Sequence, residues 1–135
     1  MSRYVARFIG SPQMDILAGA VERTDEGSFY RIGSVAFPIP DGVAPKVDYP
    51  VDLGVRPEHV HLDPAGIPLT VRVVQPLGAM TYVTIGWDEY TLTSRIQGMR
   101  HYQPGNTVPI SLDPNGMLFF DRETGRRILP DGTVA

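Results

Sequence analysis

Short apolar runs recur along the chain at intervals of about 8–12 residues, and glycine, proline, asparagine and aspartate separate them. Within several runs apolar and polar residues alternate. The clearest case is Leu69, Val71 and Val73, which alternate with Thr70 and Arg72. A period of two places every second side chain on the same face of a strand. The pattern predicts an all-β fold, a small barrel or a sandwich.

The sequence predicts nine strands and seven turns between them. Strands are predicted over residues 16–22, 29–37, 49–56, 59–62, 69–73, 82–85, 90–96, 108–112 and 117–120. Turns are predicted over residues 24–27, 38–42, 63–66, 76–78, 86–89, 103–106 and 113–116. Apart from the turn at its start, the path of the stretch 38–49 is not predicted. The tail from 121 to 129 contains one further turn.

The N-terminal residues have a different pattern. Val5, Phe8 and Ile9 are spaced as one apolar stripe of a short helix. Gly10 can end such a helix in a left-handed conformation, and Pro12 prevents its continuation. We interpret residues 1–13 as a residual helix and linker from a preceding domain, and residues 14–135 as one β-domain.

Composition supports this organisation and excludes several classes of protein. The 135 residues fit one domain, and the 14 glycines and 13 prolines suit a fold with many turns. There is no cysteine, which excludes disulfides and thiolate metal sites. A net charge of −3 argues against a general nucleic-acid binder. With no apolar run near the length of a membrane span and no signal-peptide pattern, we expect a cytoplasmic protein.

The segment Arg56-Pro57-Glu58 lies between two apolar runs and places opposite charges on either side of a proline. Proline fixes its own φ and pushes the preceding residue toward an extended conformation. The segment therefore predicts a rigid corner, either a structural clip or an interaction surface. Whether Arg56 and Glu58 pair across it, in a buried or in an exposed setting, is left open by the sequence.

Catalytic patterns are missing from the sequence. A phosphate-binding loop needs a glycine-rich cradle followed by lysine and serine or threonine. The one lysine, Lys46, has no such cradle and is followed by Val47. No serine lies in a nucleophile elbow, and Asp88-Glu89 is more typical of a solvated turn than of an acid–base pair. The chain is predicted to have no catalytic activity and no cofactor of its own.

Two binding hypotheses remain open beside a purely structural interpretation. His59 and His61 would lie on one face of a strand near Glu58, where they could share a metal ion, although His101 is distant in sequence. They could equally be exposed polar positions. Several aromatic residues could form a base-stacking platform, but core packing is favoured because basic residues do not interleave with them. These aromatic residues are Phe29, Tyr30, Tyr82, Trp87, Tyr90, Phe119 and Phe120.

Four motifs, taken in order, resemble one protein family. The segment from Phe8 to Asp15 resembles the junction that precedes the C-terminal regulatory domain in carbohydrate-importer ABC ATPases, the maltose-importer ATPase group. The segment 53–58 is similar to that family's Gly-x-Arg-Pro-Glu motif, and 71–78 to its strand that ends in Leu-Gly. Residues 108–128 are similar to its closing strands and tail.

The resemblance implies a transport-associated OB-type β-barrel that regulates and dimerises the ATP-binding subunit of an importer for sugars or related solutes. ATP and Mg²⁺ would bind in the ATPase domain, which this chain lacks. The implied partners are a second copy, that ATPase domain, indirectly the membrane permease subunits, and in some members a cytoplasmic regulator. Arg56, Pro57 and Glu58 are then expected to have structural or interface roles, as are Gly10 and Pro12 at the junction. A free-standing ligand- or metal-binding barrel is the alternative.

Overall fold

The structure, a computed structural model, describes residues 13–98 and 102–135. Across these residues the regular structure consists of eleven β-strands and two 3₁₀ turns, without an α-helix. The predicted all-β class is confirmed. The predicted helix at Val5, Phe8 and Ile9, with Gly10 and Pro12 at its end, lies outside the described residues.

The strands form three antiparallel sheets. Their bounds are β1 Asp15–Ala18, β2 Ala20–Thr24, β3 Gly27–Ile32, β4 Val35–Ile39, β5 Val51–Val55, β6 Val60–Leu77, β7 Met80–Trp87, β8 Tyr90–Gln97, β9 Thr107–Leu112, β10 Leu118–Asp121 and β11 Arg127–Ile128. The sheet orders are β1-β5-β10-β11, β2-β3-β4 and β8-β7-β6-β9. The 3₁₀ turns, η1 at Pro57–His59 and η2 at Pro114–Gly116, connect β5 to β6 and β9 to β10.

The strand predicted over residues 16–22 is divided at Gly19 into β1 and β2, which join different sheets. A Cβ atom at Gly19 would overlap the carbonyl oxygen of Arg31. The Gly19 N–H also donates to the hydroxyl of Tyr30 at 2.8 Å. The chain can therefore pass this close to β3 because residue 19 has no side chain.

The hairpin predicted at Thr24–Gly27 is confirmed, since Thr24 pairs with Gly27 across a two-residue turn. Two neighbouring predictions need correction. The single strand predicted over 29–37 is instead a hairpin of β3 and β4, with Ile32 opposite Val35. The break predicted at Pro38 is also wrong, because β4 continues through it to Ile39. As an edge strand, β4 tolerates a residue without an N–H.

β6 extends over 18 residues and contains both strands predicted at 59–62 and 69–73. The predicted turn at 63–66 is a bulge within it, where Leu62 and Ile67 both align with Ile110 of β9. A Cβ atom at Gly66 would overlap the backbone of Ile110. The extra residues therefore bend outward from the ladder without ending the strand.

A second irregularity in β6 reverses part of the alternating pattern. The register against β7 shifts between Val71 and Val73. Leu69 and Val71 are buried, at 4% and 0% exposure, whereas Val73 is 49% exposed. A bulged residue at Arg72 turns the following side chain to the opposite face of the sheet. Val73 therefore lies on the solvent-exposed side of the sheet, although the alternating pattern groups it with the buried residues Leu69 and Val71.

Candidate interaction site at the Arg-Pro-Glu corner

The corner between β5 and β6 is the tight turn η1. Arg56 precedes it in an extended conformation, with φ −88° and ψ 154°, as Pro57 requires. The N–H of His59 donates to the carbonyl of Arg56 at 3.0 Å, and the N–H of Val60 to that of Pro57. From β8, the hydroxyl of Ser94 donates to the carbonyl of Val60 at 2.6 Å. These bonds fix the direction in which the corner presents its side chains.

The three corner residues lie in different environments. Pro57 is buried, Arg56 is exposed, and Glu58 is half-buried. Arg56 and Glu58 form none of the ion pairs found among residues 13–98 and 102–135. A buried Arg56–Glu58 pair is therefore not what holds the corner. The Oε1 atom of Glu58 is shielded from solvent and has no hydrogen-bond partner among the residues that the structure describes.

A second set of contacts, which we call the clip, joins η1 to η2. The Nδ1 atom of His59 and the Nε2 atom of His61 each lie 3.7 Å from Oδ2 of Asp113. The Asp113 N–H donates to the carbonyl of His59 at 2.9 Å. Gly116 packs so closely on the His59 ring that a Cβ atom there would overlap it. The clip therefore joins chain segments that are more than 50 residues apart in sequence.

The carboxylate of Asp113 is held in its ionised form. Its pKa is lowered chiefly because Oδ1 accepts the Asn115 N–H at 3.0 Å, and to a smaller extent because of His61 and His59. Asp113 places a carboxylate oxygen close to the two histidines. The sequence alone does not reveal this third donor. Even so, the described part of the chain contains no group of three or more such side chains placed to hold a metal ion.

A second polar cluster lies at the junction of β2, β5 and the segment after β10. No pattern in the sequence indicates it. Arg122 Nε donates to Oδ1 of Asp52 at 2.6 Å, and its Nη2 to the carbonyls of Gly19 and Val51 at 2.6 and 3.0 Å. The Asp52 side chain is 4% exposed. Burial alone lowers the pKa of Arg122, but the bond and charge of Asp52 raise it above its ordinary value. This is a partly buried, charge-assisted anchor.

Tyr30 completes the cluster. Its hydroxyl donates to the carbonyl of Val51 at 2.6 Å and accepts the Gly19 N–H. Burial raises its pKa to about 12. The ring packs edge-to-face on Phe119, at 5.8 Å between centroids. No local pattern could have indicated these contacts, because Arg122 lies 70 residues from Asp52 and reaches it through the pairing of β5 with β10.

The other candidate residues, Asp88 and the aromatic side chains, make contacts that support the fold. Asp88 lies in the β7–β8 turn, where Oδ2 accepts the Ser34 N–H at 2.9 Å, and this bond lowers its pKa. Tyr30, Trp87 and Phe119 are buried in the core, as the packing interpretation predicts. Trp87 also donates its indole N–H to the carbonyl of Ile32 at 2.8 Å. These three residues belong to the core, whereas Phe29, Tyr82, Tyr90 and Phe120 are half-buried.

Comparison with protein families gives two matches that meet at the corner. Residues 53–120 match the TOBE domain. The chain belongs to the TOBE-domain family. Residues 10–60 match the MalK OB fold domain. The overlap of the two matches, 53–60, contains the whole of the Arg56-Pro57-Glu58 corner of this TOBE-domain chain.

Curated relatives extend the similarity over nearly the whole chain. The chain is 34% identical over 131 residues to the sn-glycerol-3-phosphate import ATP-binding protein UgpC of Escherichia coli O157:H7. It is 35% identical over 130 residues to the protein of that name from Salmonella typhi, and 34% over 131 residues to that from Shigella sonnei. Each alignment covers 94% of this chain and 36% of the relative. The chain thus spans about a third of the length of these relatives.

Among the described residues, no helix is long and apolar enough to cross a bilayer.

Proposed function

We propose that this chain is the regulatory and dimerisation domain of the ATP-binding subunit of an ABC importer, and that it catalyses no reaction itself. The transported solute would be a sugar or a related compound such as a sugar phosphate or polyol phosphate. The observation that supports this most strongly is the pair of adjoining family matches, which together extend from residue 10 to residue 120.

In this proposal ATP and Mg²⁺ bind in the ATPase domain of the same subunit, on the cytoplasmic side of the membrane. Membrane permease subunits are contacted indirectly, through that domain. The TOBE-domain chain contributes a rigid β-scaffold whose corner presents Arg56 at its surface in a fixed direction. In this proposal a cytoplasmic regulatory protein is a further partner of the scaffold.

A domain exchange tests the proposal. The 131 aligned residues of the Escherichia coli O157:H7 relative would be replaced by this chain, in cells that depend on that importer for sn-glycerol-3-phosphate uptake. We expect the chimera to restore uptake, because a regulatory barrel holds the subunits together without selecting the solute.

Two controls make the exchange interpretable. A subunit truncated before the exchanged region measures uptake without any such domain. A chimera carrying Leu53→Asp, at a core position with 0% exposure, measures uptake with an unfolded one. If the chimera accumulates normally but imports no more than these controls, the proposed function is wrong.

A further inference from the structure

A cleft opens between the hairpins of β2, β3 and β4 and the end of β9. Its volume is about 430 Å³, within the range of roughly 300–1,000 Å³ that small-molecule sites occupy. The β2–β3 turn contributes Glu26 and Gly27 to the lining, the chain just after β4 contributes Asp41, and η2 contributes Pro114. We call this cavity the hairpin cleft. The proposed function does not use it.

Apolar side chains form much of the wall of the hairpin cleft. Phe29 and Pro38 lie opposite each other in the register of β3 and β4, so they share one side of that sheet. Both line the cleft, as do Pro40 and Pro114. Phe29 is half-buried, so part of its surface stays open. Such a wall suits the methylene groups of an aliphatic stem, which pack on apolar surface while their charged end stays in water.

Charge determines the sign of the ligand. Glu26 and Asp41 line the cleft, are exposed, and belong to none of the ion pairs of the described residues. Among those residues no arginine or lysine lines the cleft. Arg23 and Lys46 line an adjoining cavity that shares Asp41, yet neither forms an ion pair with it. Carboxylates of one sign in a concave surface concentrate a negative potential, which attracts cations.

A buried hydroxyl adds a third polar group to the hairpin cleft. Ser28 is 9% exposed and lines the cleft, and its hydroxyl makes no hydrogen bond within the described part of the chain. Unlike Oε1 of Glu58, its oxygen is not sealed from solvent. Buried hydroxyl groups ordinarily have a hydrogen-bond partner. A ligand in the cleft can supply the one that the protein does not.

We propose that the hairpin cleft binds an organic cation, an ammonium or guanidinium group on an aliphatic stem. Glu26 and Asp41 accept its N–H groups, and the Ser28 hydroxyl accepts a further one. The stem lies along Phe29 and Pro114. A free alkyl amine and the lysine or arginine side chain of a partner protein share this chemistry. Because both carboxylates are exposed, we expect a dissociation constant on the order of 1 mM for a free amine at low salt.

NMR of the isotope-labelled full chain, titrated with 1,5-diaminopentane, tests the proposal. We expect saturable shifts of backbone amide signals confined to residues that line the cleft, such as Gly27, Ser28 and Phe29. The diol 1,5-pentanediol has the same stem without the charge, and it should bind at least tenfold more weakly. Sodium chloride at about 0.5 M should raise the dissociation constant of the diamine about fivefold, since salt screens exposed charges.

Variants of the lining identify the groups that bind. Glu26→Gln and Asp41→Asn should each raise the dissociation constant about three- to fivefold, and together at least tenfold, because each removes one carboxylate charge. Ser28→Ala should raise it about twofold. Glu89→Gln is the matched control, since it neutralises an exposed carboxylate in the β7–β8 turn, outside the lining. It should leave the constant within about 1.5-fold. Unchanged spectra elsewhere show that each variant is folded.

A capped tripeptide, acetyl-Ala-Arg-Ala-amide, distinguishes the two sources of the cation. Tighter binding of the peptide than of the diamine indicates a side chain of a partner protein, and the reverse indicates a free amine. The absence of saturable shifts with both probes up to about 20 mM would overturn the proposal. So would equal binding of diamine and diol, or equal effects of Glu26→Gln and Glu89→Gln. None of these results alters the uptake expected of the chimera, so the proposed function is tested separately.

Discussion

At the scale of single residues, Arg122 should contribute more to stability than any exposed ion pair. Arg122→Ala would remove the positive charge beside Asp52, whose side chain is 4% exposed, and would leave the carbonyls of Gly19 and Val51 without the Arg122 donor. Removing one partner of a buried pair costs about 3–5 kcal/mol. Because the Arg122 side chain is 33% exposed, we expect the lower end, about 3 kcal/mol, in urea unfolding.

Arg31→Ala is the matched control for this prediction. Its partner Glu22 lies at the same kind of short distance, 2.9 Å, but both side chains are at least 40% exposed. Such pairs contribute about 0–1 kcal/mol. Equal losses from Arg122→Ala and Arg31→Ala would show that the junction is not an anchor.

Tyr30 should make the free energy of unfolding depend on alkaline pH. Its pKa in the folded chain is raised to about 12, from about 10 when unfolded, so the folded state favours the neutral hydroxyl. The resulting stability is complete below pH 10 and is lost as the pH rises toward 12, by about 2–3 kcal/mol. Urea unfolding between pH 9 and 12 measures this loss.

In the same pH series, the free energy of unfolding of Tyr30→Phe should fall less steeply as the pH rises. At pH 9 it should already be about 1–3 kcal/mol lower than that of the wild type, because the Gly19 N–H has lost its acceptor. Tyr49→Phe, at an exposed tyrosine, should follow the wild-type curve. Parallel curves for wild type and Tyr30→Phe would contradict the assignment.

At the scale of elements, the clip between η1 and η2 depends on close packing of Gly116 against His59. Gly116→Ala should force both the imidazole and the Cβ atom of His59 to move, at a cost of about 1–3 kcal/mol. The same substitution in a His59→Gly background should cost much less, because the ring and the Cβ atom that obstruct the added methyl group are both gone. A double-mutant cycle by thermal unfolding measures the coupling. Additive losses would mean that the two residues do not share this contact.

Elements also show why part of the fold could be predicted. The Thr24–Gly27 hairpin and the strands around residues 82–85 and 108–112 follow from alternation and turn residues, which act locally. The division at Gly19 and the two irregularities in β6 do not, because each is set by a neighbour distant in sequence. Arg31 and Ile110 supply that neighbour in two of these cases.

The candidate site can likewise be predicted from the sequence only where local stereochemistry determines it. The extended conformation of Arg56 and the tight turn at Pro57 follow from the stereochemistry of proline alone. The contact of Asp113 with His59 and His61, and that of Arg122 with Asp52, require the register of strands that are far apart in sequence. The sequence leaves open whether Arg56 and Glu58 pair, whereas the structure shows Arg56 exposed and outside the ion pairs of the described residues.

At the scale of the whole molecule, this exposure changes what Arg56→Ala should do. An exposed side chain outside the ion pairs of residues 13–98 and 102–135 contributes little to folding, so the free energy of unfolding should change by at most about 0.5 kcal/mol. A loss of stability near 3 kcal/mol would mean that Arg56 is buried in the working protein.

The effect of Arg56→Ala should instead appear in the assembled importer. The corner is the segment shared by both family matches, and its backbone bonds fix the direction in which the Arg56 side chain leaves the backbone, so we expect a contact with another domain of the subunit. In the chimera, Arg56→Ala should lower uptake of sn-glycerol-3-phosphate at least threefold at unchanged protein level. Arg126→Ala removes an equally exposed arginine from the tail and should leave uptake near that of the chimera. Equal uptake by both variants would mean that the corner serves the fold of this chain and contacts no other domain.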